Sequence, residues 1–275
     1  MSTGTLATTP AAMPVELPVV IAGAAGASIG VATQAARVTD VAVLILPAAC
    51  ETRTGPERLY VRLARELARA GIPSLRFDAA DGGDCPLSMS GDPRYDEDAV
   101  AAARRLLVLH PDAFVAVLAV GAGAVRAAHA WHALLRADLP LSALCLVDPQ
   151  IAIALDDPRP SWWRRLFGAG AGAAAAGLPD SADSPQAGRN GVSAQQLWHS
   201  LPAAVRAGRS RLLLVSRGEA GCAPALLALA REDRGWRKAL RRSRGWLQLD
   251  EADAGFSDPV KWRELVEWLA ARLAV

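Results

Sequence analysis

AFVAVLAVGAGAVRAAHAWHALLRA (113–137) is the stretch whose reading decides the fold. AFVAVLAV (113–120) is a continuous apolar run fit for a strand buried on both faces, and it feeds through the small-residue turn GAGA directly into a helix. The same alternation extends outward in both directions. Upstream, PVVIAG and SIGVATQAARV are strand-like from Leu17 on, and VAVLILP, ending at Pro47, is a second doubly buried run. From Pro56 to Ala70, residues Leu59, Val61, Leu63, Leu67 and Ala68 fall at mostly helical spacing, and Gly71 stops that helix as a C′ glycine. IPSLRFD (72–78) is a short strand followed by the turn-rich AADGGDCPLSMSGDP. A helix over 94–110 has Asp96, Glu97 and Asp98 at the favourable end of its dipole and Pro111 beyond its end. Downstream, LSALCLVDP (141–149), RLLLVS (211–216) and GWLQLD (245–250) read as further strands. Strands alternating with helices imply right-handed crossovers and an α/β fold, with a mostly parallel sheet covered on both faces.

One stretch breaks the alternation. Some sixty residues separate the strands ending at Asp148 and starting at Arg211, and they contain SWWRRLF (161–167), then GAGAGAAAAGLPDSADSPQAGRNG (168–191), then VSAQQLWHSLPAAV. The expected organisation is a flexible N-terminus over 1–16, a core over 17–150 and 211–275, and a cap insertion over 151–210 with a low-complexity linker at 168–191. An insertion at the C-terminal side of a parallel sheet covers the cleft where such sheets bind ligands.

Composition narrows the function classes. The chain has 275 residues, 52% of them hydrophobic and 21% charged, so it can bury a full core. Its 30 Lys+Arg against 28 Asp+Glu leave a charge of +2, without the basic footprint of a nucleic-acid binder. Mean hydropathy is +0.18, owed largely to alanine, and no run of about 18 strongly apolar residues marks a membrane span. Cys50, Cys85, Cys145 and Cys222 are scattered with no Cys-x-x-Cys, so neither a zinc site nor a disulfide framework is expected. The start, MSTGTLATTPAAMPVELP, lacks the basic and apolar regions of a signal peptide, and the expectation is a cytoplasmic protein with reduced thiols. No cofactor or metal is expected.

A strand entering a helix through a tight turn is where an α/β-hydrolase displays its nucleophile, in the pattern Gly-x-Ser-x-Gly. Here the junction reads Ala119-Val120-Gly121-Ala122-Gly123: the flanks fit and the centre has no side chain. GPERLYVRLARELARAGIPSLRFD (55–78), GGDC (82–85), AVGAGA (119–124), LVDP (146–149), LLLVSRGE (212–219) and EADAGFSDPVKWRELVEWL (251–269) together resemble successive landmarks of the α/β-hydrolase-like proteins associated with the exosortase A system, in particular the group called hydrolase 1. The resemblance covers most of the chain except 160–210. It implies Gly121 in the nucleophile slot, Glu219 in the acid slot and Ala254 in the histidine slot. Glycine cannot attack an ester and alanine cannot relay a proton, so the resemblance implies a degenerate triad in which only Glu219 could act. It further implies a setting of exopolysaccharide production, with a protein partner in that system.

What such an elbow keeps is backbone. The N–H of Ala122, with those of Ala48 and Ala49 in the turn after the VAVLILP strand, could form an oxyanion-type nest for a small acyl or carboxylate ligand; equally, the turn could retain small residues for packing alone. Other side chains are candidate substitutes. Cys50, Cys85 and Cys222 would all project near the same sheet edge, and Cys50 or Cys85 is the candidate displaced thiol nucleophile for an ester or thioester hydrolase. His110 reads as a helix-end residue, and His129 and His132 lack further metal ligands. His199 is the histidine best placed to swing over the cleft. Trp162 and Trp163 beside Arg164 and Arg165, and the basic segment 231–246 with Trp236 and Trp246, could give weak membrane-surface contact, although a solvated helix with a buried tryptophan seam fits the latter better.

Overall fold

The computed structural model describes residues 13–23, 26–36, 39–79, 82–83, 95–151, 194–218, 221–241 and 245–274. Among them eight strands form one sheet: β1 (Glu16–Gly23), β2 (Gly26–Thr33), β3 (Val41–Leu46), β4 (Ser74–Phe77), β5 (Phe114–Val120), β6 (Leu141–Val147), β7 (Arg211–Ser216) and β8 (Trp246–Gln248). Their spatial order is β1-β2-β4-β3-β5-β6-β7-β8. The β1–β2 hairpin is antiparallel and β2 pairs antiparallel with β4, while every pair from β4 through β3 to β8 is parallel.

The helices are α1 (Leu59–Arg69), α2 (Tyr95–Leu109), α3 (Gly123–Arg136), α4 (Ala194–Ala207), α5 (Ala223–Glu232), α6 (Arg234–Ala239) and α7 (Pro259–Leu273). Side chains alternate across a strand, so each central strand feeds two cores. Ala42, Leu44, Val117, Ala119 and Leu146 face one layer, built from α2 to α6. Val43, Ile45, Leu118, Cys145 and Val215 face the other, where Leu63 and Leu67 of α1 meet Leu265 and Leu269 of α7. That two-sided burial is why β3 is apolar at every position.

Local signals explain the boundaries. α1 ends in a Schellman motif: Gly71, at φ +89°, donates to Ala68 O at 3.1 Å, and Ile72 donates to Leu67 O at 2.9 Å. The β1 hairpin is fastened to the core by Glu16, whose carboxylate accepts from Arg65 on α1 at 2.8 Å and from Arg76 on β4 at 2.9 Å. Both guanidiniums hold the Glu16 carboxyl below the usual glutamate range, the Arg65 hydrogen bond most strongly.

Two differences from the sequence-based expectation concern the last third of the chain. Residues 152–193, including Trp162, Trp163 and the linker at 168–191, lie outside the described residues, as do 1–12. The end of the expected cap, however, is α4, which lies on the sheet beside α3 and buries Leu197, Trp198, Leu201 and Val205 in the core. The basic segment after it is not one helix. Asp233 interrupts it in extended conformation and caps α6 by accepting from Trp236 N at 2.8 Å. Trp236 is fully buried and donates Nε1–H to Trp198 O at 2.7 Å, joining α6 to α4.

Candidate functional site

The C-terminal ends of the parallel strands converge on one edge, and the sharpest feature there is the β5–α3 turn. Gly121 sits at φ +56°, donates to Val147 O at 2.9 Å, and accepts from Ala124 N at 3.2 Å and Gln150 N at 3.0 Å. The left-handed conformation turns the chain back sharply and aims the missing side chain outward: no heavy atom of the described residues lies within 4 Å of where a Cβ would stand. Gly123 serves a different purpose. A Cβ there would stand 3.2 Å from Leu46 O and 3.4 Å from Ala48 N, so its smallness lets the first turn of α3 close onto the end of β3.

The loop after β3 supplies the polar lining beside the elbow. Ala48 N–H donates to Glu51 Oε2 at 3.0 Å, and the Tyr60 hydroxyl donates to the same oxygen at 2.5 Å. Tyr60 is buried, and burial first, then Glu51, pushes its hydroxyl pKa upward. The Ala48 donor of the expected nest is therefore occupied by a carboxylate from the chain itself. Ala49 and Ala122 are exposed, and Ala48 O accepts from Arg126 of α3 at 2.9 Å. Cys50 is exposed at φ +59° in this loop. Arg53, at its far side, is ion-paired with the buried Asp78 at the end of β4.

Next to the elbow, Asp148 follows β6 at φ +45° and is 9% exposed. It accepts from Arg217 Nε at 2.5 Å and from Cys222 N at 2.9 Å, which ties the ends of β6 and β7 to the start of α5. Gly221 is needed here, because a Cβ would stand 2.2 Å from Asp148 Oδ1. Burial, followed by the charge of Asp148, raises the Cys222 thiol pKa, so this sulfur is not a ready nucleophile. The Cys145 thiol, inside β6, is pushed up to about 12 by burial.

Beyond β8, Ala254 is exposed on a loop fixed at both sides. Asp253 accepts from Ser257 N at 2.7 Å and Ser257 Oγ at 2.5 Å, and those bonds lower its pKa. Arg62 of α1 donates to Gly255 O at 3.1 Å and to Phe256 O at 3.0 Å, while its guanidinium lies 4.0 Å from the Trp262 ring centroid. The structure thus brings Gly121, the Ala48–Ala49 turn, Cys50 and the Ala254 loop to one sheet edge. Glu219 and Cys85 lie outside the described residues.

The histidines lie away from the elbow. His199 on α4 faces Glu232, 3.9 Å away at the far end of α5, about 15 Å along that helix from the end nearest the elbow. His110, His129 and His132 all have pKa values lowered, mainly by burial. Among the described residues no three His, Cys, Asp or Glu side chains form a metal-binding group, and no helix is long and apolar enough to cross a membrane. Sequence reasoning missed Glu51, Tyr60, Asp148, Arg217 and Arg62. Only Asp148 had a visible signal, an acid immediately after a buried parallel strand.

No protein-family model matches the sequence, and no curated protein matches it either. Solved structures do resemble it. A dienelactone hydrolase from Anabaena variabilis superposes with TM-score 0.58 at 13% identity, covering 94% of this chain and 97% of the other. An α/β serine hydrolase without a lid from Xanthomonas campestris gives 0.56 at 12% identity, covering 94% and 96%. An esterase from Pyrococcus furiosus gives 0.60 at 13% identity, covering 94% and 90%. The chain has the α/β-hydrolase fold.

Proposed function

We propose that this chain is a catalytically degenerate α/β-hydrolase-fold protein that acts by binding rather than by turnover. The triad-slot positions are Gly121, Glu219 and Ala254, and the setting is cytoplasmic, as an accessory member of an exosortase-associated exopolysaccharide system with a protein partner there. One observation carries the reading: at the strand-to-helix elbow the residue at φ +56° is Gly121, and among the described residues no heavy atom lies within 4 Å of where a side chain would project. Without an attacking atom, and with Ala254 unable to accept its proton, a hydrolase frame retains only backbone donors and shape. The ligand class is a small acyl or carboxylate group.

The test is hydrolysis of a p-nitrophenyl ester series by the wild type, by Cys50→Ala and by Gly121→Ser combined with Ala254→His. The expected result is no wild-type turnover and measurable turnover in the double variant. A folded double variant that stays inert counts against the slot assignment. A second reading, an ester or thioester hydrolase with a displaced cysteine, draws on the exposed Cys50 in its left-handed conformation at the same edge. Wild-type turnover that Cys50→Ala abolishes would establish it and overturn the first. The setting is tested separately, by deleting the gene in its host and measuring secreted exopolysaccharide.

A further inference from the structure

The sheet ends on one side at β1, whose outer side pairs with no strand among the described residues. Such an edge is a row of unpaired N–H and C=O groups, which proteins usually blunt by shortness, bulges, prolines or charge. Here only Pro18 has that character. β1 runs eight residues, its register with β2 is unbroken from Glu16↔Thr33 to Gly23↔Gly26, and residues 17–33 contain no charged side chain. The one charge on the strand, Glu16, is held by Arg65 and Arg76.

The segment is also apolar on its surface. Of the nine large hydrophobic residues exposed among the described residues, five lie here: Met13, Val15, Leu17, Val20 and Ile29. Val19 and Ile21 turn inward to the layer that contains α2. Pro18 and Val20 turn the other way, opposite Val31 and Ile29, and Val20 is 65% exposed. Single exposed hydrophobics are ordinary, but a cluster along an open edge marks an interaction surface.

The backbone fixes what can pair there. Gln34 donates to Val15 O at 2.8 Å, so Val15 and every second residue after it, Leu17, Val19 and Ile21, direct their backbone groups to β2. Glu16, Pro18, Val20 and Ala22 direct theirs outward. Proline has no N–H, so the edge offers donors at Glu16, Val20 and Ala22 alone.

We infer that β1 is a dimerisation edge, which pairs antiparallel with β1 of a second copy of this chain and continues the sheet across a two-fold axis. Among the two-fold registers of the outward residues, one engages all three donors. Glu16 then faces Ala22 of the second copy, Pro18 faces Val20, and the axis passes at Val19. Only the Val20 carbonyl, which meets the proline, goes unpaired. Centring the pair on Val20 leaves the Glu16 N–H unused, and centring it on Pro18 leaves that of Ala22 unused. An uncharged strip is electrostatically compatible with itself and gives an ionic partner nothing to recognise. Pairing one edge with itself also closes at two chains, whereas the opposite edge, β8, has only three residues and would propagate without closing. β1 lies three strands from β5, so this interface stands independently of the elbow and of the function proposed for it.

Sedimentation equilibrium of the full chain across the micromolar range tests the inference, and a monomer–dimer equilibrium is expected. Val20→Glu sets two like charges diagonally across the axis and should weaken the dimer about tenfold or more. Val260→Glu, the same change at an exposed valine on α7, should leave it unaltered. The Val20 side chain is exposed, so its variant should melt close to the wild type. Pro18→Ala restores an N–H on each copy, supplies the Val20 carbonyl with a donor, and should tighten the dimer about tenfold through two modest hydrogen bonds. A dimer held by apolar contact elsewhere has no reason to tighten. A monomer throughout overturns the inference, as do growth beyond two chains, a dimer indifferent to Val20→Glu, and a Pro18→Ala dimer no tighter than the wild type.

Discussion

Gly121 and Gly221 are close together in the fold, and alanine at each should have very different consequences. At Gly121 the left-handed backbone costs an alanine about 1–2 kcal/mol, while alanine restricts the unfolded chain and returns about 0.4–1 kcal/mol. No steric contribution enters, because a Cβ there meets no described heavy atom within 4 Å. The net is a loss of about 1 kcal/mol, or a melting point lower by about 2–4 °C. At Gly221 the new Cβ would stand 2.2 Å from Asp148 Oδ1 and 2.9 Å from Arg217 Cβ. The Asp148 carboxylate must then move off Arg217 Nε and Cys222 N–H. With each bond to a charged group worth about 1.5–3 kcal/mol, Gly221→Ala should cost about 3 kcal/mol or more. Urea melts of both variants at neutral pH, with the m-value followed, measure the difference. Equal losses would refute the open elbow, and a stabilising Gly121→Ala would refute its left-handed conformation.

Glu51→Ala removes the acceptor of both Ala48 N–H and the buried Tyr60 hydroxyl and should cost about 2–3 kcal/mol, with faster amide exchange at Ala48 read by hydrogen exchange. Burial lowers the pKa of His110, His129 and His132, so their contribution is complete above the unfolded histidine value of about 6.5 and is lost as pH falls through the lowered native values. Urea melts from pH 8 down to about 5 should show that loss, and His129→Gln with His132→Gln should flatten it. Glu16 has a lowered pKa as well. Its contribution is present above the ordinary value of about 4.3, so Glu16→Gln should be less stable at neutral pH, with the gap to the wild type closing below about pH 4. Trp236→Phe should lower stability by about 1 kcal/mol or more through loss of the bond to Trp198 O, seen in thermal melts.

What the sequence disclosed follows the range of the interactions involved. The apolar runs of β3, β5 and β6 are written locally, since strands buried on both faces tolerate nothing else, and the stop at Gly71 needs only its immediate neighbours. The elbow was legible for the same reason, a strand, three small residues and a helix in one stretch. The polar lining was not. Asp148 and Arg217 meet across 69 positions, and Arg62 reaches Phe256 across 194, distances at which a single sequence carries no pairing signal. Glu51 is only three residues from Ala48, but its return depends on the left-handed turn at Cys50, which nothing about a cysteine announces. The segment before β7 reads in sequence as a cap along its whole length, because its Gly/Ala-rich composition hides the point where a core helix, anchored by Leu197 and Trp198, resumes.

The carboxylate of Glu51 on Ala48 N–H makes any capture of an anion at that donor a replacement reaction. A group tethered this closely is present at a local concentration in the millimolar range or above. It is also never depleted, so a dissolved carboxylate is diluted out by a competitor built into the chain. Each carboxylate–amide bond gained is matched by one given up, and the exchange leaves net charge and bond count at the amide nearly unchanged. Selection then passes to the Tyr60 hydroxyl, which must find a new acceptor when Glu51 leaves. The molecules that displace it are those that bring a second oxygen within reach of that phenol.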